Sequence, residues 1–132
     1  MDERSQYIII CNPTGSHFIE CDEEIDTDMF IIKNPNEGIN ILNNLLYNEM
    51  VDRMLSFESI EDEEGDPLLN YDGYLRWIYN KKLPKSEQIP KINVIIDNFE
   101  TLMKESSGEI EEVVYRIKEL GPSAGINIHI FN

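Results

Sequence analysis

Lys91-Ile92-Asn93-Val94-Ile95-Ile96-Asp97-Asn98-Phe99 is a short, nearly continuous apolar run that ends in an aspartate and leads into a helix-like segment. Runs of this length between breakers suit a strand buried on both faces, as in a parallel sheet covered by helices. Pro90 marks the near boundary and Asp97 the far one. Open α/β sheets bind their ligands beyond the carboxyl ends of such strands, so Asp97 stands where a site is expected.

Two further runs share this character. Tyr7-Ile8-Ile9-Ile10-Cys11 is β-branched and aromatic and stops at Asn12-Pro13-Thr14-Gly15, a strand followed by a turn. Ile126-Asn127-Ile128-His129-Ile130-Phe131 reads as a last strand, and Met29-Phe30-Ile31-Ile32 as a brief extended piece. Helical patterns lie between them. Asn34 can cap a helix that has Pro35 at its first position and Glu37 at its third, running to about Phe57. Its apolar face is Ile39, Leu42, Leu46, Met50 and Phe57. Asp66-Pro67 repeats the start signal for a helix to about Asn80 that aligns Leu68, Tyr71, Leu75 and Ile78. Phe99, Leu102 and Met103 suggest a short helix after the opening strand. Ser106 with Glu109 then forms a capping box for the stripe Ile110, Val113, Val114, Ile117, which Gly121-Pro122 stops. The order predicts one α/β domain over 1–132, a three-layer fold with a small parallel sheet of about three strands flanked by helices.

Composition narrows the partners. The 132 residues carry 11 basic and 26 acidic side chains, a formal charge of −15. That disfavours direct nucleic-acid binding by this piece, because phosphate affinity comes from Lys and Arg displacing counterions. It equally disfavours anionic membrane surfaces. No apolar run approaches the roughly 20 residues that span a bilayer. The charged start Met1-Asp2-Glu3-Arg4 has no signal-peptide pattern, and Cys11 and Cys21 form no CxxC pair, so a cytoplasmic setting is the expectation.

The segment from Ile92 to Ile130 resembles the motor domain of the FtsK/SpoIIIE DNA-translocase family. There, an apolar strand ends in Asp-Glu and is followed by a segment close to E-E-x-x-x-R-I-x-x-L-G-R-A-A-G-I-H-L. Here the residues are Asp97-Asn98, then Glu111-Glu112 through Arg116-Ile117, Leu120-Gly121-Pro122-Ser123-Ala124-Gly125 and Ile126-Asn127-Ile128. Ile8-Ile9-Ile10-Cys11-Asn12-Pro13-Thr14-Gly15 is similar to the family strand ending in Asp-Pro-Lys-Gly, and Glu49-Met50-Val51-Asp52-Arg53-Met54 to its E-M-x-x-R-Y helix. Tyr71 resembles the tyrosine of the family's G-Y-N segment. The resemblance implies a partial RecA-like P-loop NTPase core lacking the phosphate-loop strand, with ATP and Mg²⁺ as family cofactors and Asp97 as the family's metal-holding acid. It also implies Asn12, Thr14 and Gly15 as weakly matched nucleotide-side positions.

The departures imply degeneracy. The sequence holds no GxxxxGK[ST], so the phosphate cradle and its lysine are missing. The family's catalytic glutamate is Asn98, whose amide cannot act as a general base. Asn12 and Thr14 replace an aspartate and a lysine, and Pro122 replaces an arginine. The expectation is a chain that is not an enzyme on its own and takes no cofactor alone. The alternative is a part of an active DNA or protein-export translocase whose phosphate loop lies in another segment or subunit. In the family sheet, the phosphate-loop strand lies beside the strand matching Ile126–Phe131. That strand is thus expected at an edge, open to a protein partner or a second copy.

Other features have plainer readings. The acidic stretches 20–28 and 58–66 lack the D-x-D-x-D-G spacing of Ca²⁺ loops and read as solvated loops, not as a DNA mimic. His17 beside Cys11 and Cys21 has no ligand spacing, and the adjacent Ser16-His17 specifies no triad. Trp77 reads as helix packing, and Lys81, Lys82 and Lys85 form a lone basic patch.

Overall fold

Four parallel strands form one sheet in the order β2-β1-β3-β4: β1 Ser5–Ile10, β2 Asp28–Ile32, β3 Lys91–Asp97 and β4 Ile126–Phe131. The computed structural model describes residues 4–10, 28–97 and 99–131. The segment Met29–Ile32, expected as a brief extended piece, is the fourth strand and pairs in register with β1 from Gln6↔Asp28 to Ile10↔Ile32. It reads weakly in sequence, and Phe30 and Ile31 are left exposed. The opening stretch, β3, is central. It pairs with β1 from Ser5↔Lys91 to Ile10↔Ile96 and with β4 from Ile92↔Ile126 to Asp97↔Phe131.

Strand alternation decides what each face does. Ile92, Val94 and Ile96 point to one face with Ile10, Ile126 and Ile128, and onto that face pack Leu42, Leu46, Leu102, Ile110, Val114 and Ile117. Four of the described helices gather there: α1 Pro35–Asn44, α2 Met50–Glu58, α4 Phe99–Glu105 and α5 Ile110–Leu120. Tyr7, Ile9, Asn93, Ile95, Asn127 and His129 alternate to the other face.

The long helix expected from Asn34 to Phe57 starts as read. Asn34 Oδ1 accepts from the backbone N–H of Asn36 at 2.8 Å and of Glu37 at 3.4 Å. Its course is interrupted by a π-helical turn over Leu45–Glu49, which separates α1 from α2. The extra residue in that turn lets Leu45 and Leu46 both enter the core before the apolar face resumes at Met50. Asn34→Ala removes the cap and is expected to lower stability by about 1 kcal/mol, read as a fall in the thermal midpoint with an unchanged native spectrum.

The next helix, α3, covers Tyr71–Lys81 rather than beginning at Asp66-Pro67. Asp66 is held elsewhere: its N–H donates to Asp62 Oδ1 at 3.0 Å and its carbonyl accepts from Asp62 N–H at 2.8 Å. Pro67 bridges to Glu61 instead of opening a helix. Asn70 is the cap, its Oδ1 accepting from Gly73 N–H at 2.9 Å. The capping box at Ser106 is also modified. Ser106 closes α4, and its Oγ accepts from Ile110 N–H at 3.1 Å, while Glu109 sits at the cap position without a side-chain cap bond.

A second cluster of Phe57, Leu68, Tyr71, Tyr74 and Ile78 joins α2 to α3 at the entry to β3. Tyr71 Oη donates to the Ile89 carbonyl at 3.0 Å, and Tyr74 Oη accepts from Ile89 N–H at 2.8 Å. These bonds fix the backbone two residues before the central strand begins.

Candidate functional site

Asp97 is the last residue of β3, 7% exposed, opposite Phe131 of β4. Its Oδ2 is buried and finds no hydrogen-bond partner among the described residues. A buried carboxylate oxygen without a donor is costly unless something supplies a proton or a cation. The remaining sequence candidates, Asn12, Thr14, Gly15 and Asn98, lie outside the described residues, as do Cys11, His17 and Cys21. Among the described residues, no three His, Cys, Asp or Glu side chains converge as a metal cage. One free oxygen suits a single ligand bond to Mg²⁺, but the phosphate-holding loop and its lysine are missing from the sequence. Of the sequence candidates for such a site, Asp97 is the one among the described residues.

What comes together instead are the pieces of the family resemblance that lie far apart in sequence. Arg53 is 3% exposed, and its Nη1 donates to the Ala124 carbonyl at 3.0 Å. Its Nε lies 3.5 Å from Glu49 Oε1, within ion-pair range but outside hydrogen-bond geometry, so that buried N–H makes no hydrogen bond among the described residues. Burial pushes the Arg53 guanidinium below its ordinary value, and the Glu49 carboxylate works against that. Gly125, at φ +78°, packs so closely on Tyr71 that a Cβ there would meet the ring at 2.6 to 2.8 Å. Gly121 lies equally tightly against the Ile126 carbonyl. The turn Gly121–Ala124 is thus clamped between α2, α3 and the start of β4. This arrangement sets where β4 enters the sheet. It is structural rather than chemical, and it explains why glycine and alanine stand at those positions. Four residues apart, Glu49 and Arg53 read in the sequence as a surface pair; the burial of Arg53 corrects that reading, and its place between Met50 and Phe57 on the apolar stripe is the signal for it.

Sequence reasoning missed a second feature. The acidic stretch near 58–66 is an ordered turn, not merely a solvated loop, and with α3 it encloses an open groove of about 710 Å³ that Trp77 helps to line. It lies along the outer face of α3, and neither Asp97 nor any strand residue lines it.

A four-stranded parallel sheet with helices crossing over between its strands defines an α/β fold, and in that fold the chain is similar to RecA-like, P-loop-type cores. The particular likeness is to the FtsK/SpoIIIE-type motor region, as the sequence motifs implied. Over 52 residues, 39% of this chain, the sequence is 40% identical to the DNA translocase FtsK of Caldanaerobacter subterraneus subsp. tengcongensis. The fold matches the cytoplasmic domain of the Thermomonospora curvata Type VII secretion ATPase EccC with a TM-score of 0.68, at 19% identity over 98% of this chain. The chain spans 7% of the length of that FtsK and 14% of that EccC chain. No protein-family model matches the chain. Among the described residues, no helix is long and apolar enough to cross a membrane.

Proposed function

We propose that this chain is a degenerate piece of an FtsK/SpoIIIE-like motor region that acts as a non-catalytic interaction or assembly module in the cytoplasm. The observation that carries the reading is the β4 edge. Among the described residues, β4 pairs with β3 alone, while Ile126 and Ile128 are already buried on the core face. Its free side offers a row of backbone donors and acceptors on the sequence Ile126-Asn127-Ile128-His129-Ile130-Phe131, with no proline or lysine to blunt it. A strand from a protein partner or from a second copy would complete it by β-augmentation. Loss of the phosphate loop and of the glutamate at position 98 supports the non-catalytic half of the reading.

The second reading is a part of a working ATP-driven translocase whose phosphate loop comes from another segment or subunit. The Asp97 Oδ2, without a partner among the described residues, favours it, since that oxygen could still take a metal bond. Titration with Mg²⁺-ATP, followed by backbone amide shifts, separates the two. The module reading expects no saturable shift at Asn12–Gly15 or Asp97–Phe99. Saturable shifts at both would favour the translocase reading. A sedimentation series over concentration tests the edge: self-association is the expected result when the partner is a second copy. A strictly monomeric protein with slowly exchanging amides throughout Ile126–Phe131 would remove the edge as a contact surface.

A further inference from the structure

We infer that the groove between the Ile60–Leu68 turn and α3 is a docking site for a basic, apolar polypeptide segment, one that sets Lys or Arg beside a leucine-like side chain. The apolar part of the groove is Pro67, Leu69 and Trp77. Leu69 is 78% exposed, the highest value among the large apolar side chains described. An apolar side chain so open beside an indole gives an incoming aliphatic group something to cover. Trp77 is braced from behind by Tyr74, ring centroids 6.2 Å apart and 28° between planes, so its ring is held in place.

The rim sets the sign of the partner. Glu61, Asp62, Glu63, Glu64 and Asp66 line the groove, against only two cations, Arg76 and Lys81. These carboxylates stand within a Debye length of one another and act as one negative field. That field repels nucleic acid and attracts a cationic chain, and a cation reaching the groove also finds the face of Trp77.

The rim is also preorganised. Asp62 Oδ1 accepts from Glu64 N–H at 2.9 Å and from Asp66 N–H at 3.0 Å, and Leu68 N–H donates to the Ile60 carbonyl at 3.0 Å. A turn already ordered loses little freedom on binding. The size of about 710 Å³ suits a few side chains of a peptide rather than an ion.

Trp77 is the sole tryptophan in the sequence, so its emission reports on this groove directly. The probes are three short synthetic peptides: one alternating leucine and arginine, one alternating leucine and glutamate, one alternating serine and arginine. The leucine–arginine peptide is expected to shift Trp77 emission saturably and to move amide signals within 61–81, with affinity falling as salt rises. Leu69→Ser, and separately the reversals Glu63→Lys with Glu64→Lys, are expected to weaken it at least about tenfold. All three positions are exposed, so these variants keep the fold, which their amide spectra verify. No saturable response would overturn the inference. So would equal binding of the serine–arginine or leucine–glutamate peptide, or indifference to the Leu69 and glutamate variants.

Discussion

Arg53→Ala is expected to lower the stability of the domain by about 3 kcal/mol or more, seen as a fall of roughly 10 °C in the thermal midpoint. Two losses add. The charged donor to the Ala124 carbonyl, now at 3.0 Å, disappears and leaves that acceptor without its bond in a buried turn. The long side chain also vacates space between α2 and the Gly121–Ala124 turn, and large-to-small changes in packed sites leave a cavity. Arg53→Met separates the two, because it keeps most of the stem and removes only the polar head. It is expected to lose about 2 kcal/mol. The Glu49 carboxylate contributes less, being 39% exposed and screened by water. A double-mutant cycle of Arg53→Met with Glu49→Gln is therefore expected to give a coupling below about 1 kcal/mol. A coupling that accounts for most of the Arg53→Met loss would refute the assignment to Ala124 and make the ion pair the main contact. Arg53→Lys is no rescue, since a compact ammonium lacks the planar fork that lets one nitrogen reach Ala124 while another faces Glu49.

The same contact shows what a linear reading of this chain can and cannot reach. Central strands announce themselves: β1 and β3 are continuous apolar runs because each is flanked by a strand on either side. β2 reads more weakly, and there Phe30 and Ile31 are left exposed, unlike Ile126 and Ile128 of the other edge strand. Asn34-Pro35 is a correct helix start and Asp66-Pro67 an incorrect one, although the dipeptide signal is nearly the same. The difference is tertiary. Asp66 is committed to Asp62 in a turn, and Asn70 is then the first free capping side chain before α3. Asp97 is legible from its position at a strand end, and its buried oxygen is not, because burial depends on what the fold places around it. The groove beside Trp77 was illegible for a related reason. Its acids lie in the turn and Trp77 lies on α3, and only the fold brings them to line one opening.

Gly125→Ala is expected to destabilise by about 3 kcal/mol, and a comparison among glycines shows why that figure is not merely backbone strain. Gly125 sits at φ +78° and Gly65 at φ +85°, both in the left-handed region where an L side chain is penalised by about 1 to 2 kcal/mol. A Cβ on Gly65 would meet nothing within 4 Å, so Gly65→Ala measures the conformational penalty alone. A Cβ on Gly125 would meet three atoms of the Tyr71 ring at 2.6 to 2.8 Å. That ring cannot simply swing aside, because its hydroxyl is bonded to the Ile89 carbonyl and it packs among Phe57 and Tyr74. Overpacking of this kind adds about 1 to 3 kcal/mol. Gly121→Ala provides the complementary case. At φ −59° its backbone is ordinary, and the whole effect comes from the clash with the Ile126 carbonyl at the start of β4. Urea unfolding of the three variants gives the ranking directly, with Gly65→Ala the mildest. Equal losses at Gly65 and Gly125 would mean that Tyr71 yields freely, and the clamp that sets the entry of β4 would then rest on Arg53 alone.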